Sequence, residues 1–178
     1  MAKTKHKKNP TKADVLDTLL KSREHIDTKW VRGTWFTYVD DDDVKMQEGS
    51  VPNGAPVTGV CAAGSVLYAL DYTDEQWTEA SDVKPVIEAL YEALPPRSRA
   101  AQNAHETVKD LNDPKVLADR PWLTPDQVAK ELYDAKLDAV ISYNDANGRR
   151  KGDVLALFDR AIENVRASIP PTIQELAL

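Results

Sequence analysis

One segment, WLTPDQVAKELYDAKLDAVISY, constrains the fold of this chain most, because it carries a complete helix start followed by a regular apolar stripe. Thr124 is placed as the N-cap, Pro125 as the first helical residue and Gln127 as the partner in a capping box. Apolar side chains then recur at helical spacing from Leu132 to Val140. The segment predicts a long helix with one buried face.

Similar patterns recur along the chain and predict about six helices in all. The first is expected over residues 12–27. A stretch rich in small residues at 60–72 is expected to form a helix that is buried on most sides. The remaining helices are expected at 81–94, with Ser81 as N-cap, at 98–112, and at 151–166, with Gly152 and Asp153 in the N-cap role.

The segment from 34 to 47 differs, because it is rich in aromatic and β-branched residues with a polar break. It predicts a small β-hairpin with strands near 34–39 and 44–47. Residues 49–59 hold three glycines and two prolines and are expected to be loop. The fold class predicted is mainly α, with one domain over 11–168 between a disordered basic tail (1–10) and a C-terminal tail (169–178).

Charge and composition limit the classes of partner. Residues 1–12 hold five lysines and no acid, so the rest of the chain is more acidic than the net charge of −6 indicates. An acidic body does not favour binding to phosphates, so nucleic acid is expected only through the lysine tail. No apolar run approaches the roughly 18 residues of a membrane span, and no membrane partner is expected. A lone cysteine and the lack of a secretory signal predict a cytoplasmic location.

No cofactor or metal site is predicted. The carboxylates of Asp40 to Asp43 are adjacent rather than alternating, which is not the ligand spacing of a calcium loop. The three histidines are too far apart in sequence for a zinc motif, and the glycines form no nucleotide-binding pattern.

Cys61 admits two interpretations. It opens a predicted helix, where the helix dipole can stabilise a thiolate, and His105 is the credible base, with Asn144 or Asp145 as a third member. That arrangement would make the protein a cysteine-dependent hydrolase or transferase. Alternatively, Cys61 packs in the core as a small apolar residue, as free cysteines often do.

The loop after the long helix also admits two interpretations. Asn144 and Asp145 can close the helix, and Gly148 can supply a turn, without any ligand. Because Arg149 follows at once, Asp145 and Arg149 are the pair that most favours a binding site. Trp35 belongs to an aromatic cluster that could be an exposed platform or the buried seam between the hairpin and the helices.

At these residues the chain resembles an uncharacterised family of small proteins from actinobacteria and their phages. The resemblance runs from the first helix to Val165, and it departs at Ser65, where alanine is expected, and at Arg150, where a capping threonine is expected. The specific matches lie in GTWF, CAAGSVLYAL and YNDANGRRKGDVLALFDRAI, at Trp35, Cys61, Ala62, Gly64, Asn144, Asp145, Gly148, Arg149 and Val154. Since that family has no assigned activity, the resemblance implies fold and origin, not function.

The function favoured by the sequence is therefore that of a non-enzymatic, cytoplasmic accessory protein encoded by a phage or an actinobacterium. It is expected to bind an unidentified protein partner or a small molecule. The candidate binding residues are Asn144, Asp145, Arg149 and Trp35.

Overall fold

The computed structural model describes residues 9–40, 45–48, 51, 55–72 and 80–170. Helices dominate these ranges, so the predicted fold class is confirmed. The seven helices are α1 (Lys12–Lys29), α2 (Ala62–Ala69), α3 (Lys84–Glu92), α4 (Arg99–Asn112), α5 (Pro114–Ala118), α6 (Pro125–Asp145) and α7 (Lys151–Ala167). The strands are β1 (Phe36–Val39), β2 (Lys45–Glu48) and β3 (Val57–Val60).

Helices α1 and α7 form an antiparallel pair. The Nζ of Lys12, at the start of α1, donates to the carbonyl of Ser168 just after α7, 2.8 Å away. At the other end, the Nζ of Lys151 donates to the carbonyl of Asp27 at 2.7 Å. Apolar side chains of both helices join α2, α3 and α6 in one core, which includes the fully buried Phe158.

The three strands form an antiparallel sheet in the order β2-β1-β3. Strands β1 and β2 make the expected hairpin, with Phe36 opposite Glu48 and Val39 opposite Lys45. Residues 41–44, which include most of the aspartate run, lie outside the described part of the chain.

Strand β3 corrects the prediction of a continuous loop over 49–59. It pairs with β1 and buries Val57 and Val60, while Thr58 points outward. Gly59 is required here by close packing: a Cβ at this position would lie 2.3 Å from a methyl group of Val31. Gly59, which indicates a loop in the sequence, therefore lies within a strand at a point of close packing.

Helix starts show which local signals were reliable. The capping box of α6 is confirmed, with the amide of Gln127 donating to the Thr124 hydroxyl at 3.3 Å. Ser81 is not the N-cap of α3, because residues 81–83 form a turn and the cap position is Val83. Helix α7 has Arg150 at its N-cap, two residues before the expected position, and the Asp153 carboxylate accepts from the Arg150 amide at 2.9 Å.

The helix after β3 begins at Ala62 with Cys61 as its N-cap, because Val60 is still part of the strand. The short helix α5 was not predicted. The predicted tails fall largely on residues 1–8 and 171–178, which lie outside the described residues.

Candidate functional site

The end of α6 is held by Asn144, whose side chain is completely buried. Its Oδ1 accepts from the indole N–H of Trp30 at 2.9 Å and from the backbone N–H of Ala62 at 3.2 Å. Its Nδ2 donates to the carbonyl of Val31 at 3.2 Å and to the carboxylate of Asp145 at 2.7 Å. One amide thus joins α6 to the segment after α1 and to the first residue of α2.

Asp145 extends this network. The same carboxylate oxygen accepts from the backbone N–H of Gly33 at 2.8 Å. Gly33 has a φ of +79°, a backbone conformation that glycine adopts at little cost. Asp145 therefore stabilises the turn between α1 and β1.

Arg149 folds back onto α6 instead of pairing with Asp145. Its Nε donates to the carbonyl of Tyr143 at 2.9 Å, and its guanidinium lies 3.7 Å from the centre of the Tyr143 ring. Asp145 is bonded to Asn144 and Gly33, so the predicted site residues are close together in the chain but serve different partners.

Trp35 meets the start of α2 through its backbone. Its carbonyl accepts from the Cys61 amide at 3.0 Å, and a Cβ on Gly64 would lie 2.2 Å from the same oxygen. The Trp35 side chain is partly buried against the core, and Phe36 and Tyr38 of the same cluster are buried. Glycine at position 64 is what allows this close approach.

Cys61 is 2% exposed and acts as the N-cap of α2, with its Sγ accepting from the Gly64 amide at 3.3 Å. Burial raises the pKa of the thiol to about 11, although hydrogen bonds from the Gly64 and Ala63 amides act in the opposite direction. The charge of Asp145 adds to the increase. The neutral thiol, which is a poor nucleophile, is therefore the favoured form.

The proposed partner of Cys61 differs from it in exposure to solvent. His105 is exposed on α4, and within the described ranges no hydrogen bond joins it to Cys61. Across those same ranges, no cluster of three or more His, Cys, Asp or Glu side chains could hold a metal ion. The cysteine and histidine thus lack the contact by which a base activates a nucleophile.

A surface groove that the sequence did not predict lies between α4 and α6. Its volume is about 850 Å³. Alanines at positions 104, 135 and 139 line it, and Arg149 lies at one end. Near the other end Glu131 also borders a smaller hollow of about 310 Å³, together with Asp110 and Leu111 late in α4. The beginning of α6 therefore lies beside the end of α4, and the helices run in opposite directions.

The two ends of the groove differ in charge. Arg99 and Arg149 line the end that is formed by the start of α4 and the residues after α6. Along the rest of α6 the groove is lined by three acids, Glu131, Asp134 and Asp138. Asp134 forms a salt bridge with Lys130 at 2.5 Å. The i, i+3, i+7 spacing of these acids places them on one helix face and is visible in sequence. That α4 lies beside that face is not.

Fold and groove together define a small α-helical protein with a three-stranded sheet and a surface groove between α4 and α6. No helix in the described ranges is long and apolar enough to cross a membrane. Residues 10–164 match the sequence model of DUF6197, a family of unknown function, and the chain belongs to that family. No curated protein and no solved structure matches the chain.

Proposed function

We propose that this protein is a non-enzymatic, cytoplasmic accessory protein that binds a macromolecular partner or a small ligand in the groove between α4 and α6. On the strength of the sequence resemblance, the proposal includes an origin in an actinobacterium or its phage, and so a host cytoplasm in the second case. The lone cysteine supports a reducing compartment.

The observation that carries the proposal is the groove itself. Its volume of about 850 Å³ falls in the range of roughly 300–1,000 Å³ that is typical of ligand sites. It combines an apolar floor of alanines with charged side chains at its edges, which suits a specific polar ligand. It also contains Arg149, which the sequence singles out as a binding residue.

The candidate residues take different roles in this proposal. Arg149 contacts the ligand in this proposal, because it lines the groove next to Tyr143, on whose ring its guanidinium packs. Asn144 and Asp145 act as positioning residues, since their hydrogen bonds fix the end of α6 from which Arg149 follows. Trp35 stabilises the neighbouring start of α2, because its backbone carbonyl accepts a hydrogen bond from the Cys61 amide. The buried, neutral thiol of Cys61 favours binding over cysteine-dependent hydrolysis or group transfer.

Site-specific photo-crosslinking tests the proposal in the cells that produce the protein. A benzophenone amino acid at Asn103, exposed at the groove, is compared with the same group at Glu163, exposed on α7 outside the groove. We expect a discrete cross-linked product from position 103 and not from position 163. No product at position 103, or the same products at both positions, would overturn the proposal.

A further inference from the structure

We propose that the occupant of the groove is a second copy of this chain, forming a twofold dimer in which the basic end of each groove faces the acidic end of the other. The inference rests on the proposed function, because it takes the groove as the binding surface. It names the partner that the groove's own charge pattern selects.

The charge pattern is self-complementary about the middle of the groove. Arg99 lies one helical turn before Asn103 on α4, and Thr107 lies one turn after it, about 6 Å away in each direction. Glu131 of α6 lines the groove beside Thr107. A twofold axis near Asn103 therefore brings Arg99 of each copy to Glu131 of the other, so that one contact is made twice.

A partner of uniform charge fits less well. A wholly basic segment would meet Arg99 and Arg149, and a wholly acidic one would meet Glu131, Asp134 and Asp138. A partner that carries both signs in the reverse order places opposite charges together at the two ends of the groove, whereas like charges placed together at an interface are strongly unfavourable. A second copy turned by 180° has this order without further assumptions.

The shape of the groove is compatible with a helix from the partner. Ala104, Ala135 and Ala139 are small, so the backbone of another helix can approach the floor. Helix α4 buries only Ala104 and Leu111, which leaves its groove-facing row of Arg99, Asn103 and Thr107 available to contact the other copy. The result is a four-helix arrangement made of two α4–α6 pairs.

Trp122 is the largest exposed apolar side chain in the described ranges, at 69% exposure. It lies two residues after Arg120, which lines the hollow at this end together with three acids, Glu106, Asp110 and Glu131, so the end remains acidic on balance. The same twofold axis carries this end toward the Arg99 and Arg149 end of the other copy, where an indole ring can stack on a guanidinium. Tryptophan beside arginine is a common anchor of protein interfaces.

Sedimentation equilibrium with charge-reversal variants tests the dimer. From about 1 μM to 1 mM protein we expect wild type to reach twice its chain mass of 19.8 kDa. Arg99→Glu alone and Glu131→Arg alone each place like charges together twice, and each should weaken the dimer by at least about tenfold. An equimolar mixture of the two variants should restore it, because both contacts of the mixed dimer then join opposite charges.

Lys109→Glu is the matched control, because it makes the same charge change at an exposed α4 position that does not line the groove. It should dimerise like wild type. If a charge-reversed variant fails to fold by circular dichroism, Arg99→Gln and Glu131→Gln replace the pair, and each should still weaken the dimer.

The inference is overturned if wild type stays monomeric, if neither charge change weakens the dimer, or if the mixture of charge-reversed variants does not recover. These outcomes are separable from failure of the proposed function. A monomer that cross-links at position 103 to a different molecule keeps the groove as a binding surface and rejects the second copy as its occupant. A cross-linked product of twice the chain mass supports both.

Discussion

At the scale of single residues, the Asn144 amide satisfies the buried N–H of Ala62 and partly buried polar groups of Trp30 and Val31, which come from other parts of the chain. Asn144→Ala would leave these groups without their partner, and each buried unsatisfied group costs about 1–3 kcal/mol. We expect a loss of about 3 kcal/mol or more in the free energy of unfolding, measured with urea. Asn147→Ala, at an exposed position of the same loop, should change it by less than about 0.5 kcal/mol. Equal losses would contradict the role of Asn144.

Cys61 gives a pH dependence that can be isolated. Its folded pKa of about 11 lies above its ordinary value of 9.0, so the unfolded chain releases the proton first as pH rises. The resulting stabilisation is present below pH 9 and is lost between pH 9 and 11. Relative to Cys61→Ala, wild type should lose about 1–3 kcal/mol of unfolding free energy across this range, measured by urea titration. Parallel profiles for the two proteins would show that the thiol is not perturbed.

At the scale of elements, what the sequence predicts depends on whether the deciding interactions are local. The start of α6 was predicted because Thr124 and Gln127 bond within one turn. Strand β3 was missed because its pairing with β1 is non-local. Gly59 misled the prediction because the glycine is needed to avoid a clash with Val31, a contact that the local sequence does not show. The start of α3 was misplaced because Ser81 is a good cap residue, yet the chain forms a turn there before entering the helix.

Two helical glycines allow a matched prediction about how elements pack. A Cβ on Gly64 of α2 would lie 2.2 Å from the carbonyl oxygen of Trp35, which is backbone and cannot easily move. Gly64→Ala should therefore destabilise the protein by several kcal/mol, as overpacking in a tight core does. A Cβ on Gly152 of α7 meets nothing within 4 Å, so Gly152→Ala should be neutral or stabilise by up to about 1 kcal/mol. Thermal unfolding measures both, and a tolerated Gly64→Ala would refute the close approach of Trp35.

At the scale of the whole molecule, the candidate site was only partly predictable. Arg149 was named as a candidate binding residue because it follows Asn144 and Asp145 in the sequence, and it lines the groove. The groove itself requires α4 to lie beside α6, and nothing local to either helix specifies that neighbour. The buried network of Asn144 likewise depends on Trp30, which is 114 positions away in the chain.

The arrangement of helices predicts an uneven stability that hydrogen exchange can measure. Helix α7 buries five side chains in the core, whereas α4 buries only Ala104 and Leu111, and α5 buries none. In dilute solution, amides of α4 and α5 should therefore exchange through a partial opening that costs less free energy than global unfolding. Amides of α7 should exchange only with global unfolding.

Because a dimer through the groove would cover α4, the protection of α4 amides should increase with protein concentration, while that of α7 amides changes less. Protection of α4 equal to that of α7 at low concentration would show that the α4–α6 contact is part of the main cooperative unit.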